Sequence, residues 1–277
     1  MKYIEGFINL PTTKLFHRCW ISDEVNTLVV GIHGFVEHSG RYLHVGKELV
    51  SNNYTFCIHD LRGHGRSVER KEDLGFINSF NDFIEDLNHY INYLKRELNP
   101  KNIVVFGHSM GGLIALYYAA LGKVRIDAIV TSGAATLLRT STSQVILLKL
   151  MNLINPRTRI KLPLNPQYLS HREDVVNSYV NDPLVIKNPT VRLVYELVRA
   201  SKEFWRYVDR IEVPILLLHG SEDKIVPPEA SRRVFELVKS EIKDIKIYEG
   251  LYHEILNEVN WREVLMDIIN WLSSVLK

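Results

Sequence analysis

Short runs of apolar and β-branched residues recur along the chain and alternate with stretches whose apolar positions fall at helical spacing. NTLVVGIHG, YTFCIHD, NIVVFGHS, DAIVTSGA, VPILLLHG and DIKIYEG each read as a short strand apolar on both faces. A central parallel sheet requires such runs, because helices cover both of its faces. Between them, RYLHVGKELVSN, NDFIEDLNHYINYLKREL, MGGLIALYYAALG and EASRRVFELVKSE carry the helical pattern, and WREVLMDIINWLSSVLK closes the chain with it. Two earlier runs, KYIEGFINL and LFHRCWI, predict an antiparallel hairpin on the sheet edge. The pattern is that of an α/β fold, a doubly wound and mostly parallel sheet of about eight strands with helices on both faces.

The alternation breaks between residues 137 and 206, a stretch without a convincing strand that holds Pro156, Pro163, Pro166, Pro183 and Pro189. It predicts a helical insertion, a cap, between a first core segment (1–136) and a second (207–277). Within it, QVILLKLMNLIN is apolar on nearly every side except a stripe through Lys149 and Asn152. Such a helix is either buried or faces something greasy. Burial in the core is one reading. A lid is the other, its inner face lining a lipid-like pocket and its outer face meeting a membrane surface or micelle. The lid is favoured, because the segment interrupts the sheet order where an insertion sits over the strand ends.

Composition adds limits. The 277 residues suit one large domain or a domain with an insertion, and 46% hydrophobic residues can build a large core. The net charge of +2, from 34 basic and 32 acidic residues, gives no reason to expect nucleic acid as a partner. The first twenty residues are too polar for a signal peptide, and no apolar run approaches membrane-spanning length. Cys19 and Cys57 lie in strand-like surroundings without a second Cys at metal spacing, and read as reduced thiols of a cytoplasmic protein.

The chemistry begins at VVFGHSMGG, residues 104–112. A lone serine between two glycines, with a strand before it and a helix after it, predicts a nucleophile on a sharp turn. An unassisted hydroxyl is a poor nucleophile, so Ser109 needs a base and the base needs an orienting carboxylate. In such a fold the order is serine, acid, histidine, the acid after a late strand and the histidine after the last. VPILLLHGSEDKIVPP supplies Asp223, preferred over Glu222 because it sits before the KIVPP turn, and IYEGLYHEILNE supplies His253. His33, His64, His108 and His219, all beside glycines at strand ends, read as structural partners of loop backbone. Two backbone N–H donors for an oxyanion are expected from Met110, directly after the serine, and from Phe35, after the strand VVGIHG.

These motifs span almost the entire chain: HGFVEHSGRY (33–42), DLRGHGRS (60–67), GHSMGG (107–112), LHGSEDKIVPP (218–228) and IYEGLYHEILNE (247–258), with NPQYLSHRED and YVNDPLV in the cap. Together they resemble the monoacylglycerol lipase and lysophospholipase group of α/β-hydrolases. The resemblance implies an α/β-hydrolase fold, the triad Ser109, Asp223 and His253, and oxyanion donors at Phe35 and Met110. It also implies hydrolysis of glycerol monoesters with medium or long acyl chains, an apolar tunnel under the cap, and association with membrane surfaces. Phe35 is bulkier than the residue frequent at its position in relatives, which bears on the width of the acyl pocket. Glu37 and Arg41, four residues apart, are candidates to hold a glycerol head, or else form a local ion pair that fixes their loop. Asp60 and Arg62 read as scaffolding of their turn.

The expected reaction is acyl transfer through Ser109 followed by hydrolysis, with no metal or organic cofactor required. The expected partner is a small lipid ester. Alternatives are a lysophospholipase or general carboxylesterase, an aminopeptidase or amidase, and a non-catalytic binder of a hydrophobic ligand. The triad is also compatible with a cofactor-free haloperoxidase or a C–C hydrolase, whereas dehalogenase chemistry requires a carboxylate at the elbow.

Overall fold

A computed structural model describes residues 1–276. Eight strands form one sheet: β1 (Lys2–Asn9), β2 (Lys14–Ile21), β3 (Thr27–Ile32), β4 (Tyr54–His59), β5 (Asn102–His108), β6 (Ala128–Ser132), β7 (Ile215–Gly220) and β8 (Lys243–Tyr248). Their order is β1-β2-β4-β3-β5-β6-β7-β8. β1 and β2 form the expected edge hairpin, β2 runs antiparallel to β4, and the remaining pairs are parallel. β3, β6 and β7 are buried at every position, as strands covered on both faces must be. β8 departs from its reading as a strand buried on both faces. It is the far edge of the sheet, and Asp244 and Lys246 stand exposed on it.

Five helices cover the sheet: α1 (Leu43–Ser51), α2 (Asn81–Leu98), α3 (Met110–Leu121), α7 (Glu229–Leu237) and α8 (Trp261–Val275). α1 and α8 close one apolar core around Val29, Phe56, Val104 and Leu216. α2, α3 and α7 close the other around Leu28, Val105 and Leu217. The insertion lies between β6 and β7 and carries α4 (Thr142–Ile154), α5 (Glu173–Asn181) and α6 (Val191–Glu203). α6 joins the second core through Leu193, Leu197 and Ala200, while α4 rests on α6 at the surface.

One alternative falls here and one expectation is corrected. Core burial of QVILLKLMNLIN does not occur: Ile146, Leu147, Leu150, Leu153 and Ile154 are each more than half exposed, and the one buried side chain on α4 is the polar Asn152. Cys19 and Cys57 are not reduced thiols but are joined in a disulfide. The sheet order places β4 beside β2 in a register that sets Cys19 directly opposite Cys57, with their Cα atoms 4.1 Å apart. The thiol argument for a cytoplasmic location is lost with that correction. No helix among the described residues is long and apolar enough to cross a membrane.

Candidate active site

The chain turns from β5 into α3 at Ser109, whose φ of 52° and ψ of −115° are strained for a residue with a side chain. Such a conformation costs roughly 1–3 kcal/mol and survives only where its surroundings over-determine it. Here they do. The Ser109 N–H donates to Ser132 O at 2.9 Å, and its carbonyl accepts from Leu113 N and Ala135 N at 3.1 and 3.0 Å. A Cβ at Gly107 would run into the Gly111 carbonyl, and one at Gly111 into the Ile32 carbonyl. Glycine at both places is what lets the strand, the helix and the neighbouring loop approach this closely.

Asp223 lies just beyond β7 with both carboxylate oxygens engaged. Oδ1 accepts from the backbone N–H groups of Ile225 and Val226 at 2.8 and 2.9 Å. Oδ2 accepts from His253 Nδ1 at 2.6 Å and from His219 Nε2 at 3.1 Å. Glu222 lines the same open cleft of about 360 Å³ as Asp223 but makes no side-chain hydrogen bond to His253 among the described residues. His253 sits in the loop after β8, and both members of the pair are buried. Burial would push the Asp223 carboxyl up, but His253 and the hydrogen bonds from both imidazoles hold it well below the usual range. Burial likewise pushes His253 down, yet the Asp223 charge outweighs it and leaves the imidazole above its ordinary value of 6.5. The Ser109 hydroxyl makes no hydrogen bond to His253 among the described residues. His108, directly before it, packs its ring 4.7 Å from the His253 ring and contacts Ser132 O through Nδ1 at 3.1 Å. Burial keeps His108 neutral, pushed down to about 4.

The loop after β3 passes beside the elbow: a Cβ on Gly34 would lie 3.3 Å from that of Ser109. Phe35, half-buried, packs against the core, and Val36 takes a left-handed φ of 59°. Met110 is buried at the first position of α3. Glu37 accepts from Gly34 N–H, from Tyr42 OH at 2.8 Å and from Arg41 Nη1 at 2.8 Å. Arg41 reaches across the fold to grip both oxygens of Glu254, the residue after His253. Burial pushes Glu37 up, but Arg41, His108, His33 and the Gly34 N–H together bring it down to about 2. Thus Glu37 and Arg41 spend their polar atoms on a buried network that ties the Phe35 loop to the His253 loop. Asp60, buried, accepts from Ser39 N and Arg66 N, while Arg62 pairs with Asp86 on α2.

The insertion is fastened to both loops. Ile186 N donates to Val36 O at 2.9 Å, and His38 Nε2 meets Asp182 at 2.8 Å. Glu254 N donates to Leu169 O, while Ser170 and His171 bond to Glu258. Ser109 is only 7% exposed beneath this cover. The pattern of residues did not reveal the partnership of Arg41 with Glu254, 213 positions away, or of His219 with Asp223. The only sequence sign of the latter was a histidine four places before the acid.

No cluster of three or more His, Cys, Asp or Glu side chains placed for a metal ion occurs among the described residues.

Comparison with known proteins agrees with the geometry. A monoacylglycerol lipase of Mycolicibacterium smegmatis is 29% identical over 275 residues, covering 98% of this chain and 97% of that protein. Human monoglyceride lipase is 29% identical, covering 96% and 89%. The crystal structure of Paleococcus ferrophilus monoacylglycerol lipase superposes with a TM-score of 0.82 at 32% identity, covering 94% of this chain and 98% of that one. A family model described as serine aminopeptidase, S33 (Hydrolase_4) matches residues 23–260. The chain therefore belongs to that family of α/β-hydrolases, in the company of monoacylglycerol lipases.

Proposed function

We propose that this protein hydrolyses carboxylic esters of glycerol, releasing a fatty acid from a monoacylglycerol through an acyl-enzyme on Ser109. The observation that carries this reading is the Asp223–His253 hydrogen bond of 2.6 Å beside a strained serine elbow. In the reaction, Ser109 Oγ attacks the ester carbonyl as His253 Nε2 takes its proton. The tetrahedral oxyanion accepts from the N–H groups of Phe35 and Met110. The intermediate collapses, and His253 protonates the departing glycerol oxygen. The same histidine then deprotonates water, which attacks the acyl-enzyme, and returns that proton to Ser109 Oγ as the intermediate collapses and frees the acid. Asp223 stays ionised throughout and stabilises the imidazolium.

The choice of ester is supported by the relatives' names and by the surface of α4. Its Ile146, Leu150, Leu153 and Ile154 form an exposed apolar ridge, suited to a transient contact with a lipid surface. The family's name favours a second reading, an aminopeptidase. Such a site needs a carboxylate to take an α-ammonium, and the buried carboxylates Glu37 and Glu254 are already held by Arg41.

The test is a series of monoacylglycerols of increasing chain length, run beside a diacylglycerol, a triacylglycerol, a lysophospholipid and an aminoacyl-naphthylamide. Wild-type protein should prefer the monoacylglycerols, gaining about 0.8 kcal/mol per buried methylene until the pocket is full. Ser109→Ala should lose activity and fluorophosphonate labelling together. A clear preference for the naphthylamide, or retained activity in Ser109→Ala, would overturn the proposal.

A further inference from the structure

Asp223 Oδ2 is shared by two imidazoles, and the second, His219, has every polar atom spent. His219 stands on β7, fully buried, four residues before the acid. Its Nε2 faces two acceptors, Asp223 Oδ2 at 3.1 Å and Val226 O at 3.0 Å. Its Nδ1 lies 2.8 Å from Ser231 Oγ on α7. A lone pair on Nε2 would point at two oxygens, so the proton belongs there. A neutral ring protonated on Nε2, with Nδ1 accepting from the serine hydroxyl, satisfies all three contacts. The serine thereby selects the tautomer that donates to the acid.

We propose that His219 is a positioning residue for the reaction, holding the Asp223 carboxylate in the rotamer that serves His253 and sharing its charge on Oδ2. The proposal rests on the triad reading above. Without His219, the carboxylate keeps its Oδ1 bonds to Ile225 and Val226, but Oδ2 is steered by His253 alone. That partner changes charge in every turnover. A second donor keeps the acid in place while His253 gains and loses its proton. It also limits the negative charge that His253 feels. The other groups facing His253 are His108, Glu254 and Glu37, and none of them touches Asp223 in a hydrogen bond among the described residues.

Two substitutions separate this role from simple packing. In His219→Gln the amide nitrogen occupies about the place of Nε2 and can still donate to Asp223. In His219→Asn the shorter amide occupies about the place of Nδ1, keeping the Ser231 contact and losing the one to the acid. The measurements are kcat and KM for a monoacylglycerol, the pH dependence of kcat/KM, and the rate of fluorophosphonate labelling of Ser109. His219→Asn should lower kcat and the labelling rate by about 10–100-fold, the usual effect of one hydrogen bond to a charged group. KM should stay within about twofold, since a fully buried ring cannot touch substrate. The acidic limb of kcat/KM should move to higher pH, because Oδ2 then serves His253 undivided. His219→Gln should recover most of the loss and return the limb toward its native position. Ser231→Ala should show a weaker version of the Asn phenotype, and supplies the test if His219→Asn fails to fold. Equal losses in the Gln and Asn variants, or an unmoved pH limb in His219→Asn and Ser231→Ala, would overturn the proposal. If wild-type protein itself takes no fluorophosphonate, the triad reading fails instead.

Discussion

Replacing Arg41 with Met separates a buried brace from a substrate-binding group. Met fills much of the aliphatic volume but removes the charge shared by Glu37 and Glu254, which are 3% and 4% exposed. In the native protein Arg41 is the foremost of several groups, with His108, His33 and the Gly34 N–H, that hold Glu37 below its ordinary 4.5, at about 2. Breaking a buried ion pair from one side costs about 3–5 kcal/mol, because the remaining carboxylates lose their cation. For a chain of this length that amounts to a fall in melting temperature of about 10 °C. The sign with pH is also determined. A carboxylate depressed by folding contributes fully above its unfolded value, and that contribution drains away as pH falls from 4.5 toward about 2. Native protein should therefore lose stability over that interval, and Arg41→Met should lose less, having already given up the share that Arg41 supplies. The assay is thermal unfolding by calorimetry or circular dichroism at closely spaced pH, beside steady-state kinetics. The brace predicts a drop in kcat as the Phe35 and His253 loops part, with KM little changed. An Arg41→Met protein that melts within about 2 °C of native while KM rises tenfold would refute the argument and assign Arg41 to the glycerol head.

The remaining predictions concern other parts of the molecule. Removing the disulfide with Cys19→Ala and Cys57→Ala together opens a loop with a sequence separation of 38, and chain entropy sets the cost at about 4 kcal/mol, to be read as a lower denaturation midpoint that no longer responds to reductant. Asp223→Asn should cut kcat by about 10⁴. Because Asp223 raises the His253 imidazole, the native kcat/KM should decline with falling pH from above the ordinary histidine range, and the residual activity of the Asn variant from lower pH. Changing Leu150, Leu153 and Ile154 to Gln should weaken co-sedimentation with phospholipid vesicles by at least tenfold, since each exposed aliphatic contributes about 1.5–3 kcal/mol when buried. Unchanged vesicle binding would mean that this ridge of α4 does not meet lipid.

Much of this molecule follows from local pattern alone. A strand covered on both faces must be apolar at consecutive positions, and a helix on a sheet must be apolar at every third or fourth. Those periods are written into the chain, so all eight strands were legible without coordinates. The elbow was legible for the same reason, because Gly107, Ser109 and Gly111 answer steric demands within a few residues of one another. What tertiary structure alone decided depends on which strands become neighbours and which loops converge. Cys19 meets Cys57 only because β4 is inserted between β2 and β3, an ordering that no local period encodes. Arg41 finds Glu254 because the carboxyl ends of parallel strands gather at one rim of the sheet, and His219 finds Asp223 through the turn the chain makes just beyond β7. The face that α4 turns outward was likewise undetermined, since a helix apolar nearly all round has no polar side to declare its orientation, and only its seat on α6 chose Asn152 for the inside.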